Sequence, residues 1–290
     1  MQYINQYKRL DVFRCSQDAH RHFDGRVSVY HVLKEKACYP KGCLYFLWRC
    51  GLFEKGNRCV SGYTYVGKFC KGCTYYIEEK VHLQPERILS EEVYNRFLED
   101  LEEFETWLET IKFKSSSIGG RIRTVKPRVE TVLLPGERHL RIPGYLLVIK
   151  NGFIGQDMFM DTFYIRVSKQ MMKQIRFIPK MRIELIGEIR EDRGRLIVHR
   201  PRKIEILKKG WGFPWTDEKA LVAVKTATLL KEQTDPCLEC RWGLLADVID
   251  RRHREENRYR NLYCLKGIAD PEGCYVRAVG FSKKASKKLL

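Results

Sequence analysis

The sequence predicts an α+β fold in which a small five-stranded β-barrel stands between two cysteine-rich metal-binding modules, accompanied by one acidic amphipathic helix. Three observations predict it. The 290 residues contain 11 cysteines, with two Cys-x-x-Cys pairs at Cys70/Cys73 and Cys237/Cys240. A single long stripe of apolar residues recurs at three- and four-residue spacing between residues 90 and 112. Between residues 145 and 207 the pattern runs strand, strand, strand, helix, strand, strand.

Composition sets the class of partner. Hydrophobic residues make up 44% and aromatics 12% of the chain, enough for packed cores and unlike a disordered chain. No apolar segment near the start resembles a signal peptide, and none reaches the ~20 residues that span a bilayer, which predicts a cytoplasmic, reducing location without a membrane role. In such a compartment cysteines are metal ligands or redox groups more often than disulfides. The formal net charge is +18. Every segment is basic except 86–112, so a polyanion, DNA or RNA, is the expected partner.

Residues 1–85 are dense in cysteine, tyrosine and glycine, with no long periodic run, as in a module organised by a ligand. Cys38, Cys43, Cys50, Cys59, Cys70 and Cys73 are spaced irregularly. Cys70-Lys71-Gly72-Cys73 is a knuckle, because two intervening residues with a glycine let both sulfurs face one centre. Cys43, Cys50 and Cys59 compete for the two remaining places. Cys43 and Cys59 are taken, because Cys50 ends the apolar run Leu44–Trp48, which reads as core. One knuckle with widely spaced partners among aromatics favours a 4Fe–4S cluster, with zinc as the alternative.

Residues 86–112 form the acidic helix, with Ser90 as N-cap, Glu91 and Glu92 in the first turn, and a stripe from Tyr94 to Ile111. Residues 113–144 change composition at Ser115-Ser116-Ser117-Ile118-Gly119-Gly120 and read as a basic linker or arm, in which Arg121, Arg123 and Lys126 track phosphates.

Residues 145–207 supply the barrel. Tyr145–Ile149 and Phe163–Val167 read as strands, with Asn151-Gly152 as a hairpin turn and a short helix from Ser168. Met181–Ile189 and Arg195–Ile206 follow, turning at residues 191–194. This order over about 60 residues resembles OB-fold nucleic-acid-binding proteins. The resemblance implies a face on which Tyr164 stacks a base while Arg166, Arg195, Arg200, Arg202 and Lys203 hold the backbone.

Residues 208–290 combine a helix, the second cysteine module and a basic tail. Cys237, Cys240, Cys264 and Cys274 are four cysteines with none to spare, a set for zinc or a 4Fe–4S cluster. His253 lies in a charged run and is a poor ligand candidate. No phosphate-cradling glycine loop, HExxH or GxSxG motif is present. The sequence therefore points to a metal-binding, nucleic-acid-binding protein, a non-catalytic component of a larger complex. An iron–sulfur nuclease using Glu78 and Lys80, and a basic scaffold subunit that binds proteins, are the alternatives.

Overall fold

The computed structural model describes residues 1–17, 20, 25–230, 235–252 and 256–276. The chain divides into two compact units, Met1–Lys8 with Asn95–Leu290, and Arg9–Tyr94. The chain opens with β1 (Gln2–Tyr3), which belongs to the larger unit.

The smaller unit holds β2 (Phe13–Arg14), β3 (Arg26–Val27), a π-helical turn at Tyr30–Glu35, β4 (Cys43–Cys50), α1 (Gly51–Glu54), β5 (Tyr76–Leu83) and β6 (Glu86–Arg87). Strands β3, β2 and β6 form one small sheet in that order. Phe13 is fully buried beneath it and meets Tyr39 at 5.0 Å and Tyr94 at 6.1 Å between ring centroids. Strands β4 and β5 form a separate antiparallel hairpin, in which Cys43 pairs with Leu83 and Cys50 with Tyr76.

Helix α2 (Glu91–Ile111) follows. Then come β7 (Ser115–Leu134), β8 (Glu137–Ile154), β9 (Asp157–Ser168), α3 (Lys169–Ile175), β10 (Arg182–Asp192) and β11 (Arg195–Lys208). Helix α4 (Asp217–Lys225), β12 (Thr228–Leu229), α5 (Asp235–Glu239), β13 (Gly243–Asp250) and β14 (Asn257–Cys264) complete the described chain. Among the described residues these strands make one nine-stranded sheet, β1-β9-β11-β10-β7-β13-β14-β12, with β8 joining β7 to β9. Strands β7, β8, β9, β11 and β10 therefore each pair with two of the others, and the ring they form closes on itself, with β9 and β11 parallel. Closure leaves no free edge within the ring.

The ring is filled by the inward residues of alternating strands: Ile118, Ile122, Leu147, Ile149, Phe163 and Val198 are almost wholly buried. Each such side chain stabilises the fold by roughly 1.5–3 kcal/mol. From Asn95 on, α2 contributes Phe97, Phe104 and Trp107 to the larger unit, and Trp107 stacks on Phe159 at 5.7 Å while its Nε1–H donates to Asp157 at 3.0 Å. Ser168 caps α3 by accepting from the Met171 amide.

The predicted fold class is corrected by this architecture. The structure is mixed α/β with one large sheet, and not a small barrel confined to 145–207 between two metal-binding modules. Among the described residues, no three His, Cys, Asp or Glu side chains are gathered so as to hold a metal ion. The segment 113–144 is strand and not linker: the serines and glycines that suggest a flexible arm open β7. Pro127, which has no N–H to donate, falls where β7 changes partner, after its pairing with β10 ends at Arg121 and before its pairing with β13 begins at Glu130. Asn151-Gly152 is a bulge within β8, with Asn151 at φ 56°, whereas the β8–β9 turn comes at Gly155-Gln156. The hairpin expected at 191–194 is present, turning on Arg193-Gly194.

Candidate nucleic-acid interface and cysteine cavity

Strand pairing brings two like charges together. Arg121 on β7 stands directly opposite Arg182 on β10, both exposed, and among the described residues neither is in an ion pair. They border a groove also lined by Gly119, Gly120 and Gly152; a Cβ on Gly119 would meet nothing closer than 3.9 Å, whereas on Gly120 and Gly152 it would run into Ile149 and the Gly119 carbonyl, so of the three only Gly119 leaves backbone open to a ligand. Phe153, 42% exposed, is on its rim. One carboxylate, Glu184, also lines the groove and accepts from the Ser117 hydroxyl. Two opposed guanidiniums beside an exposed ring and bare backbone suit a chain of phosphates with unstacked bases.

The other predicted contacts are dispersed. Arg123 pairs with Glu239 at 3.1 Å. Lys126 is buried and cannot track phosphate: its ammonium donates to the carbonyls of Leu238 at 3.1 Å and Gly243 at 2.6 Å. Burial pulls its pKa down to about 8. Tyr164 does not present an open ring, because Lys8 and Arg195 lie 5.7 and 5.2 Å from its centroid. Arg166 and Arg195 both turn toward Asp192, at 3.4 and 3.8 Å. Asp192 also receives Arg260 at 2.6 Å, so these arginines form a half-buried charge network. Desolvation raises the Asp192 carboxyl, yet Arg260 and its neighbours outweigh it and hold the group below the usual carboxylate range. Arg200 reaches Glu188 at 3.5 Å and Arg202 donates to the Ser115 hydroxyl at 2.9 Å. Lys203 is exposed on β11. Of the predicted set, Arg121 alone lines the groove beside Gly119. The sequence reading missed Arg182, Phe153 and the lining glycines, whose signal is glycine at 119, 120 and 152 inside strands that otherwise bury apolar residues.

The four C-terminal cysteines do converge. Cys237, Cys240, Cys264 and Cys274 line one apolar cavity, together with Trp242. Helix α5 carries Cys237, and the turn behind it carries Cys240, whose carbonyl accepts from the Gly243 amide at 3.1 Å. Gly243 pairs with Cys264 across β13 and β14, which sets the third cysteine beside the knuckle. A Cβ on Gly243 would lie 1.7 Å from the Cys237 carbonyl oxygen, so only glycine allows this approach. The Trp242 amide donates to Cys240 Sγ at 3.4 Å, and Lys266 and Arg241 stand over the Trp242 ring. The four cysteines share this cavity without being gathered into a group placed to hold a metal ion.

The N-terminal set is not assembled as predicted. Cys43 is at one end of the hairpin and Cys70 and Cys73 are in the loop that joins the other end. Cys50 is half-exposed and its strand alternates exposed and half-exposed residues, so the apolar run Leu44–Trp48 is no core. Glu78 accepts hydrogen bonds from Trp48 Nε1 and the Tyr76 hydroxyl, both at 2.8 Å, and serves the hairpin. His253 and the basic tail lie outside the described residues.

No helix among the described residues is long and apolar enough to cross a membrane. No protein family, curated protein or solved structure matches this chain.

Proposed function

We propose that this protein binds single-stranded nucleic acid along the groove between β7, β8 and β10, and that Cys237, Cys240, Cys264 and Cys274 hold a structural zinc ion beside it. The observation that carries the first part is the opposed pair Arg121 and Arg182, neither in an ion pair among the described residues, beside the open backbone of Gly119. Like charges facing each other across strands cost stability, and a phosphate between them removes the cost. Phe153 then offers a face to a base, and the bare backbone lets sugar and phosphate approach closely.

The zinc supports the fold and takes no part in chemistry. Its site would be closed by four thiolates, and Lys126 ties β7 to the Leu238 carbonyl within the knuckle and to the Gly243 carbonyl just after it. The reading is non-catalytic.

The test is fluorescence anisotropy of a labelled oligonucleotide with full-length protein, competed by unlabelled single and double strands. Single strands should compete best, and Phe153→Ala should weaken binding by about 1–3 kcal/mol, the range for a stacked base. Equal competition by duplex, or full affinity in Phe153→Ala, would sink the proposal.

A further inference from the structure

A polar cavity lies where β7 pairs with β13, and strand register explains its lining. Arg128 and Glu130 are two residues apart on β7 and so share a face. Glu130 pairs with Asp247 on β13, Asp247 with Arg260 on β14, and Ile249 with Arg258. Three neighbouring strands therefore bring charged side chains to one side of the sheet. The β10–β11 turn reaches the same place, where Arg193 Nη2 donates to the Arg258 carbonyl at 3.1 Å. Arg166 of β9, Asp192 at the end of β10 and Tyr259 complete the polar lining.

The cavity holds five arginines and three carboxylates, an excess of two positive charges. Each carboxylate is already engaged. Glu130 is held by Arg128 and, at 3.3 Å, by Arg141. Asp192 takes Arg260 at 2.6 Å, with Arg166 and Arg195 further off, and Asp247 takes Arg260 Nε at 2.8 Å. Arg258 shares Glu256, which is outside the lining, with Arg251. Arg193 is in no ion pair among the described residues, and its guanidinium has only a carbonyl. Donors outnumber acceptors: the Nε–H groups of Arg128 and Arg166 are buried with no hydrogen-bond partner among the described residues. A buried donor without an acceptor costs stability. Burial, and then Arg128 beside it, pull the Arg166 guanidinium below its ordinary value.

We infer that this cavity is a second binding site, one that takes a terminal phosphate group as its dianion. A phosphomonoester carries close to two negative charges at neutral pH, which matches the excess in the lining. Its oxygens accept pairs of parallel N–H bonds from guanidinium forks, a geometry that a single ammonium does not offer. At about 240 Å³ the cavity is smaller than the ~300–1,000 Å³ of sites for drug-sized ligands, so it suits a head group and not a whole nucleotide. The site is separate from the groove at Arg121, which lies seven residues back along β7, roughly 23 Å at ~3.3 Å per residue.

The test is isothermal titration calorimetry of the full chain with inorganic phosphate, a nucleoside 5′-monophosphate, and an oligonucleotide bearing a 5′-phosphate or a 5′-hydroxyl. Inorganic phosphate should bind at one saturable site. If the group comes from a small molecule, the nucleotide binds at least as well and the two oligonucleotides are equal. If it comes from a nucleic-acid end, the 5′-phosphorylated strand is the tighter of the two by about tenfold. Arg193→Gly is the diagnostic variant, because Arg193 has φ 51°, which glycine adopts without strain. It should keep its thermal midpoint and weaken phosphate binding by at least about tenfold, the loss of a charge-assisted hydrogen bond. Arg258→Gln should do the same, and it carries the reading if the turn variant does not fold. Joint Arg121→Ala and Arg182→Ala should leave inorganic phosphate binding unchanged, so this site and the groove fail separately. No saturable binding of any phosphorylated probe, or wild-type affinity in both Arg193→Gly and Arg258→Gln, overturns the assignment.

Discussion

Arg121 and Arg182 face each other across β7 and β10 without a carboxylate pair among the described residues. Directly opposed like charges cost roughly 0.2–1 kcal/mol in a sheet. Arg182→Glu should therefore stabilise the protein by up to about 1 kcal/mol in urea denaturation while abolishing oligonucleotide binding. A variant that loses both stability and binding would mean that Arg182 holds the fold and not the ligand.

The groove floor separates room for a ligand from room for the fold. A Cβ on Gly119 meets nothing closer than the Ile183 carbonyl at 3.9 Å, whereas one on Gly152 meets the Gly119 carbonyl at 2.6 Å and the Phe163 ring at 2.9 Å. Gly119→Ala should keep its thermal midpoint and bind more weakly. Gly152→Ala should lose about 1–3 kcal/mol, as overpacking does. Equal stability of the two variants, measured by denaturation, would contradict this geometry.

Burial, then Arg166 and Arg190, pull the His199 pKa down to about 4, against the opposing influence of Glu188. The unfolded chain takes up this proton near pH 6.5 and the folded chain near 4, so the unfolded state binds more protons between them. The contribution of His199 to stability is complete above pH 6.5 and declines as pH falls toward 4. His199→Gln should flatten that part of the stability profile. An unchanged profile would place the acid sensitivity elsewhere.

Zinc removal should loosen β13 and β14 before the closed ring. On the proposed zinc site the knuckle and Cys264 would tie these strands together, whereas the ring is held by its own apolar core. Amide hydrogen exchange with and without chelator should show protection lost at Gly243–Asp250 and Asn257–Cys264 and kept at Leu147–Ile149. Uniform loss across both regions would show that the metal supports the whole unit.

The parts of the fold legible in the sequence are those set by local patterns. The stripe from Tyr94 to Ile111 gives α2 to within a residue, and Ser168 marks α3 because its hydroxyl caps the Met171 amide. Strand β7 is hidden because Ser115–Gly120 has linker composition, and its order comes from partners at both edges, which periodicity does not report. The same composition concealed the site. Gly119 and Gly120 read as flexible, while the structure opens Gly119 to a groove and packs Gly120 close against Ile149, and Arg182 becomes significant only through its register with Arg121. Lys126 reads as a phosphate contact by charge alone, yet strand alternation turns it inward to the cysteine turn. The four C-terminal cysteines, with none to spare, do line one cavity, whereas the six from Cys38 to Cys73 are spread along the β4–β5 hairpin, the turn before it and the loop that joins its strands.

The salt dependence of binding separates a phosphate-binding groove from any other role for Arg121 and Arg182. For wild-type protein, log affinity for a single strand should fall linearly with log salt, by about 0.7 for each phosphate neutralised. Joint substitution of Arg121→Ala and Arg182→Ala should make that slope shallower by about 1.4 while the thermal midpoint stays at or above the wild-type value. An affinity indifferent to salt, or the same slope in the doubly substituted protein, would contradict the assignment of this groove to nucleic acid.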